Sequence, residues 1–473
     1  MESKANRQLH VFFFPFMAQG HMRPTINLAK LFASKGSKAT IITTSYFTSF
    51  LSKYIEAKDS GVQIDIVNIR VPTEEVGLPE GVNSVHVTST PDMQQKFFEA
   101  CGKLGPQLNQ ILEQHRPDCL VANMFFPWAP DVGAKFGIPT ILFHGTSYFA
   151  LCAQSSIFLH ETHTNVLSDS EPFFIPNFPD HIEITRNKLP EFVRHEDGSH
   201  FSKLFKSMRE SEFKTYGVLV NSFYELEPAY ADHYPKLLGR KAWQVGPLFL
   251  YDEDCNSEGH ACLKWLDTKR PNSVIYVSFG SIASFNDEQL MEIATGLEAS
   301  GQQFIWVVKK EKKEEWLPEG FEERMEEKGL ILKGWAPQIP ILEHKAIGGF
   351  VTHCGWNSTL ESICAGVPMV TWPVSAEQFY NEKLVTEILR IGIEVGAKKW
   401  KRLVGDFVKR EAIERAVTRI MEGEEAEEMR SRVKELADKA KSSIKEGGSS
   451  VLDLNALFDD LRSARIENGS SST

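Results

Sequence analysis

Cysteine is scarce in this chain of 473 residues: there are seven, an odd number, with no CxxC pair and no Cys/His cluster at zinc spacing. That excludes a disulfide framework and a structural zinc module, and it fits a reducing compartment. Long hydrophobic runs are missing too. No apolar stretch reaches the roughly 18 residues of a membrane helix. The six-residue run VFFFPF behind the polar N-terminus is too short for a secretion signal. A cytoplasmic protein with no membrane span is therefore expected. An excess of positive charge is also absent. The formal net charge is −11, which disfavours a nucleic-acid partner, since phosphate backbones are held by basic patches. The short runs KKEKK (309–313) and KKWKR (398–402) read as solvated surface. Neither a GxGxxG fingerprint nor a Walker loop occurs, which argues against a dinucleotide-dependent oxidoreductase and a P-loop enzyme.

What is present is a strand-then-helix rhythm. LHVFFFPF (9–16), KATIITT (38–44), CLVANMF (119–125), TILFHGT (140–146) and GVLVNSF (217–223) are short apolar, β-branched or aromatic runs. Residues 22–36 place Ile26, Ala29, Leu31 and Phe32 on one helical face and stop at Gly36. The acidic stretch 251–259 reads as a linker. The rhythm then restarts with strands at 273–280, 303–308, 329–335, 348–354 and 368–372 and helices at 286–301, from Ser358, and at 379–392. Continuous apolar strands alternating with helices mean parallel sheets covered on both faces. The expectation is an α/β chain of two doubly wound, Rossmann-like domains facing across a cleft, at 1–250 and 260–448. A last helix at 449–463 is expected to pack back on the first domain, ahead of a disordered tail at 464–473.

The stretch FVTHCGWNSTLE (350–361) falls between a predicted strand and a predicted helix. Such a turn presents free backbone N–H groups and the positive end of the helix dipole, a place for a phosphate. Gly355 permits close backbone approach. His353 can donate to a phosphate oxygen. Asn357 and Ser358 can cap the helix or donate to phosphate. Glu361 can accept from a ribose hydroxyl. Upstream, Trp335 in GWAPQ can stack on a base; downstream, Glu377 and Gln378 can hydrogen-bond sugar hydroxyls. Each residue taken alone reads better as a cap or a satisfied core group, so the weight rests on the cluster. On the other side of the cleft His21, just after the first strand, can take a proton from an acceptor hydroxyl, because its ordinary pKa lies near neutrality.

The run from Trp335 to Gln378, WAPQIPILEHKAIGGFVTHCGWNSTLESICAGVPMVTWPVSAEQ, resembles the 44-residue signature box of plant UDP-sugar-dependent glycosyltransferases. The resemblance extends to FFFPFMAQGHM near the start, HGTSYF (144–149) and SFGS (278–281), and within the family it points to glucosyltransferases of the scopoletin, flavonoid and terpenoid type. It implies the GT-B fold, a UDP-sugar donor as co-substrate, no metal, a small lipophilic acceptor and a monomer. It implies that Trp335 stacks on uracil while the backbone of Ala336 reads it. Gln338 and Glu361 would hold the ribose. Ser281, His353, Asn357 and Ser358 would hold the diphosphate, and Trp356, Glu377 and Gln378 the sugar. A terminal Gln in the box accompanies glucose. His21 matches the family's catalytic base, so inverting transfer is expected.

One position departs from the family. An Asp usually partners the catalytic His, and here Asn123 stands in its place. Asn can orient the imidazole but carries no charge, and by donating a hydrogen bond it favours the wrong tautomer. Three explanations remain open: an acceptor acidic enough to need little help from a base, a weakened or engineered chain, or another group that orients His21. Asp118, five residues back along the strand, is too far away. The alternative function is a UDP-sugar-binding protein with weak catalysis.

Overall fold

A computed structural model describes residues 7–56, 63–194, 198–251, 260–281, 283, 285–309, 316–402 and 404–470, without the side chains of 53–56 and 467–470. The strands in chain order are β1 (His10–Phe14), β2 (Lys38–Thr43), β3 (Ile64–Asn68), β4 (Cys119–Asn123), β5 (Thr140–His144), β6 (Pro172–Phe174), β7 (Glu183–Thr185), β8 (Gly217–Val220), β9 (Lys241–Gln244), β10 (Val274–Ser278), β11 (Gln303–Val308), β12 (Gly329–Lys333), β13 (Ile347–Thr352), β14 (Met369–Thr371) and β15 (Gly392–Glu394). Seven of them form a parallel sheet in the order β3-β2-β1-β4-β5-β8-β9, and six form a second in the order β12-β11-β10-β13-β14-β15. β6 and β7 pair as a small antiparallel ribbon.

The strands β4, β5, β8, β10 and β13 are buried at every residue. That is why they read as continuous apolar runs rather than as alternating ones. In each sheet the strand order reverses once, between β1 and β4 in the first and between β10 and β13 in the second. At such a reversal the loops leaving the carboxyl ends diverge and open a crevice, where ligands of doubly wound folds sit. The carboxyl ends of these four strands and the turns leaving them carry His21, Asn123, Ser281 and His353, and the turns leaving β12 and β14 carry Trp335 and Glu377.

Several boundaries differ from expectation. The helix expected at 22–36 runs Gln19–Ser34, so His21 lies in its first turn. The helix expected from Ser358 spans Trp356–Ala365. The one expected at 379–392 is α-helical at Gln378–Lys383 and then turns π-helical at Leu384–Ile388. The last helix runs Ser449–Ser470, well past the expected end at 463. Inside the stretch expected to be a tail, Arg465 Nη1 donates to the Arg7 carbonyl at 2.9 Å, and its guanidinium lies 3.7 Å from Asp118. The expected linker, beyond Tyr251, lies outside the described residues.

This last helix packs against the first sheet. The Phe458 ring lies 4.9 Å from Phe32, Asp453 accepts from the Gln244 N–H at 2.9 Å, and Asp460 pairs with Lys241 at 2.8 Å. The two halves also touch directly. Trp356 Nε1 donates to the Asn221 carbonyl at 2.7 Å, Ser147 Oγ donates to Asn381 Oδ1 at 3.0 Å, and Lys188 Nζ meets Glu382 Oε1 at 3.1 Å.

Candidate active site

β1 delivers the chain to the helix Gln19–Ser34, and β4 beside it ends on Asn123. Their neighbouring carboxyl ends put Asn123 Nδ2 3.0 Å from His21 Nδ1. Asn123 is buried, and its Oδ1 accepts the Phe125 backbone N–H at 3.1 Å. The amide is thus held from both ends. Flipping it would aim an N–H₂ at the Phe125 N–H, so the network assigns the amide nitrogen to the imidazole. His21 Nδ1 is then a hydrogen-bond acceptor. Burial, and secondarily His86, lower the His21 pKa to about 4. The ring is neutral near pH 7 and carries its single hydrogen on Nε2.

The surroundings of His21 are aromatic. Phe16 and Phe125 meet the imidazole edge-on at centroid distances of 5.7 and 5.4 Å. From them rings continue outward through Phe98, stacked on Phe16 at 4.9 Å, to Phe201 at 5.2 Å and Phe192 at 6.0 Å. Phe98 stands on the helix Pro91–Gly102 and Phe201 on the helix His200–Glu212. His86 Nε2 accepts the Gln19 N–H at 2.8 Å and closes this side.

The opposite wall comes from the second sheet. The turn after β13 carries His353, whose Nδ1 is buried without a hydrogen-bond partner among the described residues. Burial, with a contribution from Lys309, lowers its pKa to about 4, so it too is neutral. Two glycines enclose its ring. A Cβ at Gly280, where φ is +68°, would lie 2.6 Å from His353 Cε1, and one at Gly355 would lie 2.4 Å from Nε2. Gly355 is the N-cap of the helix Trp356–Ala365 and no side chain caps it, so neither Asn357 nor Ser358 does so. Asn357 Nδ2 instead donates to the Gly20 carbonyl at 3.0 Å, beside His21. Ser358 Oγ accepts from Gln338 Nε2 at 2.9 Å, and the same nitrogen donates to Glu361 Oε2 at 2.6 Å. Burial pushes the Glu361 carboxyl up to about 7 against that hydrogen bond.

Further along, Trp335 is 67% exposed and Ala336 is buried beside it. Trp356 is different: its indole is 2% exposed, with the ring N–H committed to Asn221. Its backbone N–H reaches the Glu377 carboxylate. Burial raises the Glu377 pKa, and Asn381 Nδ2 donates to it at 3.3 Å. Gln378 Oε1 accepts from the N–H groups of Val374 and Ser375, both at 2.9 Å. Ser281 is exposed in the turn after β10.

The structure therefore gathers His21 and Asn123 on one wall, and His353, Asn357, Ser358, Gln338 and Glu361 on the other, with the Asn357–Gly20 contact between them. Sequence reasoning missed Phe125, His86, Gly280 and Asn381. The Asn-x-Phe spacing at the end of β4, a side chain two residues before a backbone N–H, was a readable turn signal. His86 and Asn381 are placed by tertiary contacts alone. Among the described residues no group of three or more His, Cys, Asp or Glu could hold a metal ion, and no helix is long and apolar enough to cross a membrane.

Comparison with known proteins identifies this arrangement. Residues 219–399 match the family model described as UDP-glucoronosyl and UDP-glucosyl transferase. The chain is 56% identical over 482 residues to the UDP-glucose flavonoid 3-O-glucosyltransferase 7 of Fragaria ananassa, covering 98% of each chain. It is 51% identical to the scopoletin glucosyltransferase of Nicotiana tabacum, covering 96% of this chain and 98% of that one. Among solved structures it superposes on Glycyrrhiza uralensis UGT73P12, complexed with glycyrrhetinic acid 3-O-monoglucuronide, with a TM-score of 0.90 at 38% identity over 98% of both chains. It also superposes on Medicago truncatula UGT71G1, complexed with UDP-glucose, at 0.80 and 28% identity, covering 96% of this chain and 98% of that one. The chain thus belongs to the UDP-glucoronosyl and UDP-glucosyl transferase family, as a glucosyltransferase of GT-B fold that uses a UDP-sugar as co-substrate.

Proposed function

We propose that the chain moves glucose from UDP-glucose, with inversion, to a hydroxyl of a small lipophilic phenolic, flavonoid or terpenoid metabolite, and that the acceptor oxygen lies against His21. The observation that carries this reading is the Asn357–Gly20 contact at 3.0 Å, which sets the phosphate-type turn after β13 next to the first turn of the His21 helix. A donor held on the second sheet would present its anomeric carbon toward an acceptor held on the first. His353, Asn357 and Ser358 are suited to the diphosphate, Trp335 to the uracil, Gln338 and Glu361 to the ribose, and Glu377 and Gln378 to the sugar. Neutral donors and the dipole of a helix N-terminus stabilise the departing UDP as charge builds on it. The ladder of half-buried Phe rings leading away from His21 suits a flat apolar acceptor. Relatives named for flavonoid and scopoletin transfer support the same class. A reducing, cytoplasmic setting fits the six described cysteines, all buried and free, and the chain is taken to act as a monomer.

General-base chemistry at His21 requires the lone pair on Nε2, that is, the tautomer opposite to the one Asn123 supports. His21→Ala is expected to lower kcat/KM by roughly 10²–10⁴-fold, measured as UDP released with UDP-glucose and a panel of phenols. Inversion is checked from the anomeric configuration of the product. Retained configuration, or an undiminished His21→Ala variant, overturns the assignment. The weaker reading, a UDP-sugar-binding protein with little catalysis, is favoured by the same Asn123 contact and ends with measurable transfer to any phenol.

A further inference from the structure

Asn123 is not a neutral replacement for a carboxylate, because its amide is not free to turn. The Phe125 N–H holds Oδ1 at 3.1 Å, the side chain is buried, and Nδ2 faces His21 Nδ1 at 3.0 Å. A carboxylate there would accept a hydrogen bond from Nδ1–H and leave Nε2 with a lone pair to take a proton. The amide does the reverse: it donates a hydrogen bond to the Nδ1 lone pair, so the single hydrogen of the neutral ring sits on Nε2. The groups around His21 do not restore the other state. Phe16 and Phe125 pack on its ring. The Gly20 carbonyl is taken by Asn357. Arg23, on the same helix, acts on Glu361. The titratable neighbour His86 spends Nε2 on the Gln19 N–H and is itself held neutral by burial and by Lys309.

We propose that His21 works as a hydrogen-bond donor, through Nε2–H, to an acceptor oxygen that enters the site already ionised, so that acidic phenols rather than aliphatic alcohols are this chain's acceptors. The inference rests on the glucosyltransferase reading above and gives it a substrate class. The acceptor loses its proton to solvent before it binds. Its oxyanion, held by Nε2–H, attacks the anomeric carbon. The new C–O bond forms as the bond from that carbon to the diphosphate oxygen breaks, and UDP leaves with the electron pair. Asn123 and Phe125 are positioning residues that act through the imidazole.

The test is kcat/KM against pH for the unaltered protein with several phenols of different acidity and one aliphatic alcohol, all with UDP-glucose. The expected inflection moves from acceptor to acceptor, following each phenol's own ionisation, and the alcohol reacts at least ~100-fold more slowly. His21→Gln, which can donate but cannot act as a base, should keep most of its rate on the most acidic phenol, where His21→Ala loses it. Asn123→Asp should raise the rate on the alcohol and fix the inflection at one pH. An inflection at the same pH for every acceptor in the unaltered protein overturns the inference and leaves the transferase reading intact. So do equal rates for alcohol and phenols, or a His21→Gln variant as inactive as His21→Ala. No UDP release with any acceptor overturns the transferase reading itself.

Discussion

At the scale of single residues, the site is a set of neutral or barely ionised groups kept so by burial. His21 and His353 are both neutral near pH 7. Burial also pushes the Glu361 carboxyl up to about 7, into the working range. Below that pH it is a carboxylic acid with its own hydrogen; above it, a carboxylate able to accept two hydroxyls. Ribose hydroxyls that donate to it favour the ionised form, so donor binding should release a proton and tighten as pH rises through 7. Calorimetric titration with UDP from pH 6 to 8, in buffers of different ionisation enthalpy, reads both effects. Glu361→Gln should weaken binding and flatten the pH dependence; an unchanged slope would remove Glu361 from the ribose. His21, Asn123 and the box residues could be picked out of the sequence because their side chains are unusual company for a strand end. The turn that ties Asn123 to the Phe125 N–H was signalled by their spacing, but that it aims the amide nitrogen at His21 was not, because that depends on two strand ends meeting.

At the scale of elements, the cleft is closed by pairs that span the two sheets' domains. Lys188, just after β7, meets Glu382 on the helix Gln378–Lys383 at 3.1 Å, and Thr371 Oγ1 on β14 donates to the other carboxylate oxygen at 3.0 Å. Glu382 is fully buried and Lys188 only 13% exposed. Burial pushes the Glu382 carboxyl up to about 7 even with Lys188 beside it. Replacing Lys188 by Met leaves that charge uncompensated, a change that costs about 3–5 kcal/mol in buried pairs. The sign with pH is fixed. A carboxyl raised in the folded state holds its proton more tightly there than in the unfolded chain. Its contribution is therefore present at low pH and lost as pH rises from the ordinary carboxylate range through 7. The deficit of Lys188→Met should be larger at pH 8 than at pH 5, measured by urea unfolding; equal deficits would mean the carboxylate is already relieved by other groups. The inner strands were readable from their apolar runs, whereas β3, β9 and β15, at the sheet edges, were not. The π turn at Leu384–Ile388 and the early start at Gln19 were not readable either, since each involves too few residues to register in the period of a hydrophobic face.

At the scale of the whole molecule, the last helix leaves the second half of the chain and completes the first. Leu454, Leu457, Phe458 and Leu461 are all buried along it. Ending the chain at Gly448 exposes their partners, at about 1.5–3 kcal/mol for each large apolar side chain. That is a large share of the stability of an ordinary domain. The truncated protein should melt several degrees lower or fail to accumulate in soluble form, and an unchanged thermal midpoint would show that the first sheet stands without it. The amino-acid sequence by itself determined the two parallel sheets, their order of appearance and the chemistry at each strand end, because period, turn residues and side-chain type are local properties. The tertiary structure alone decided which strand ends meet. It set Asn357 against Gly20, turned the Trp356 indole into the core, and fixed the amide of Asn123. Each of these depends on which backbone donor or acceptor lies within about 3 Å, and only the folded chain brings such partners together.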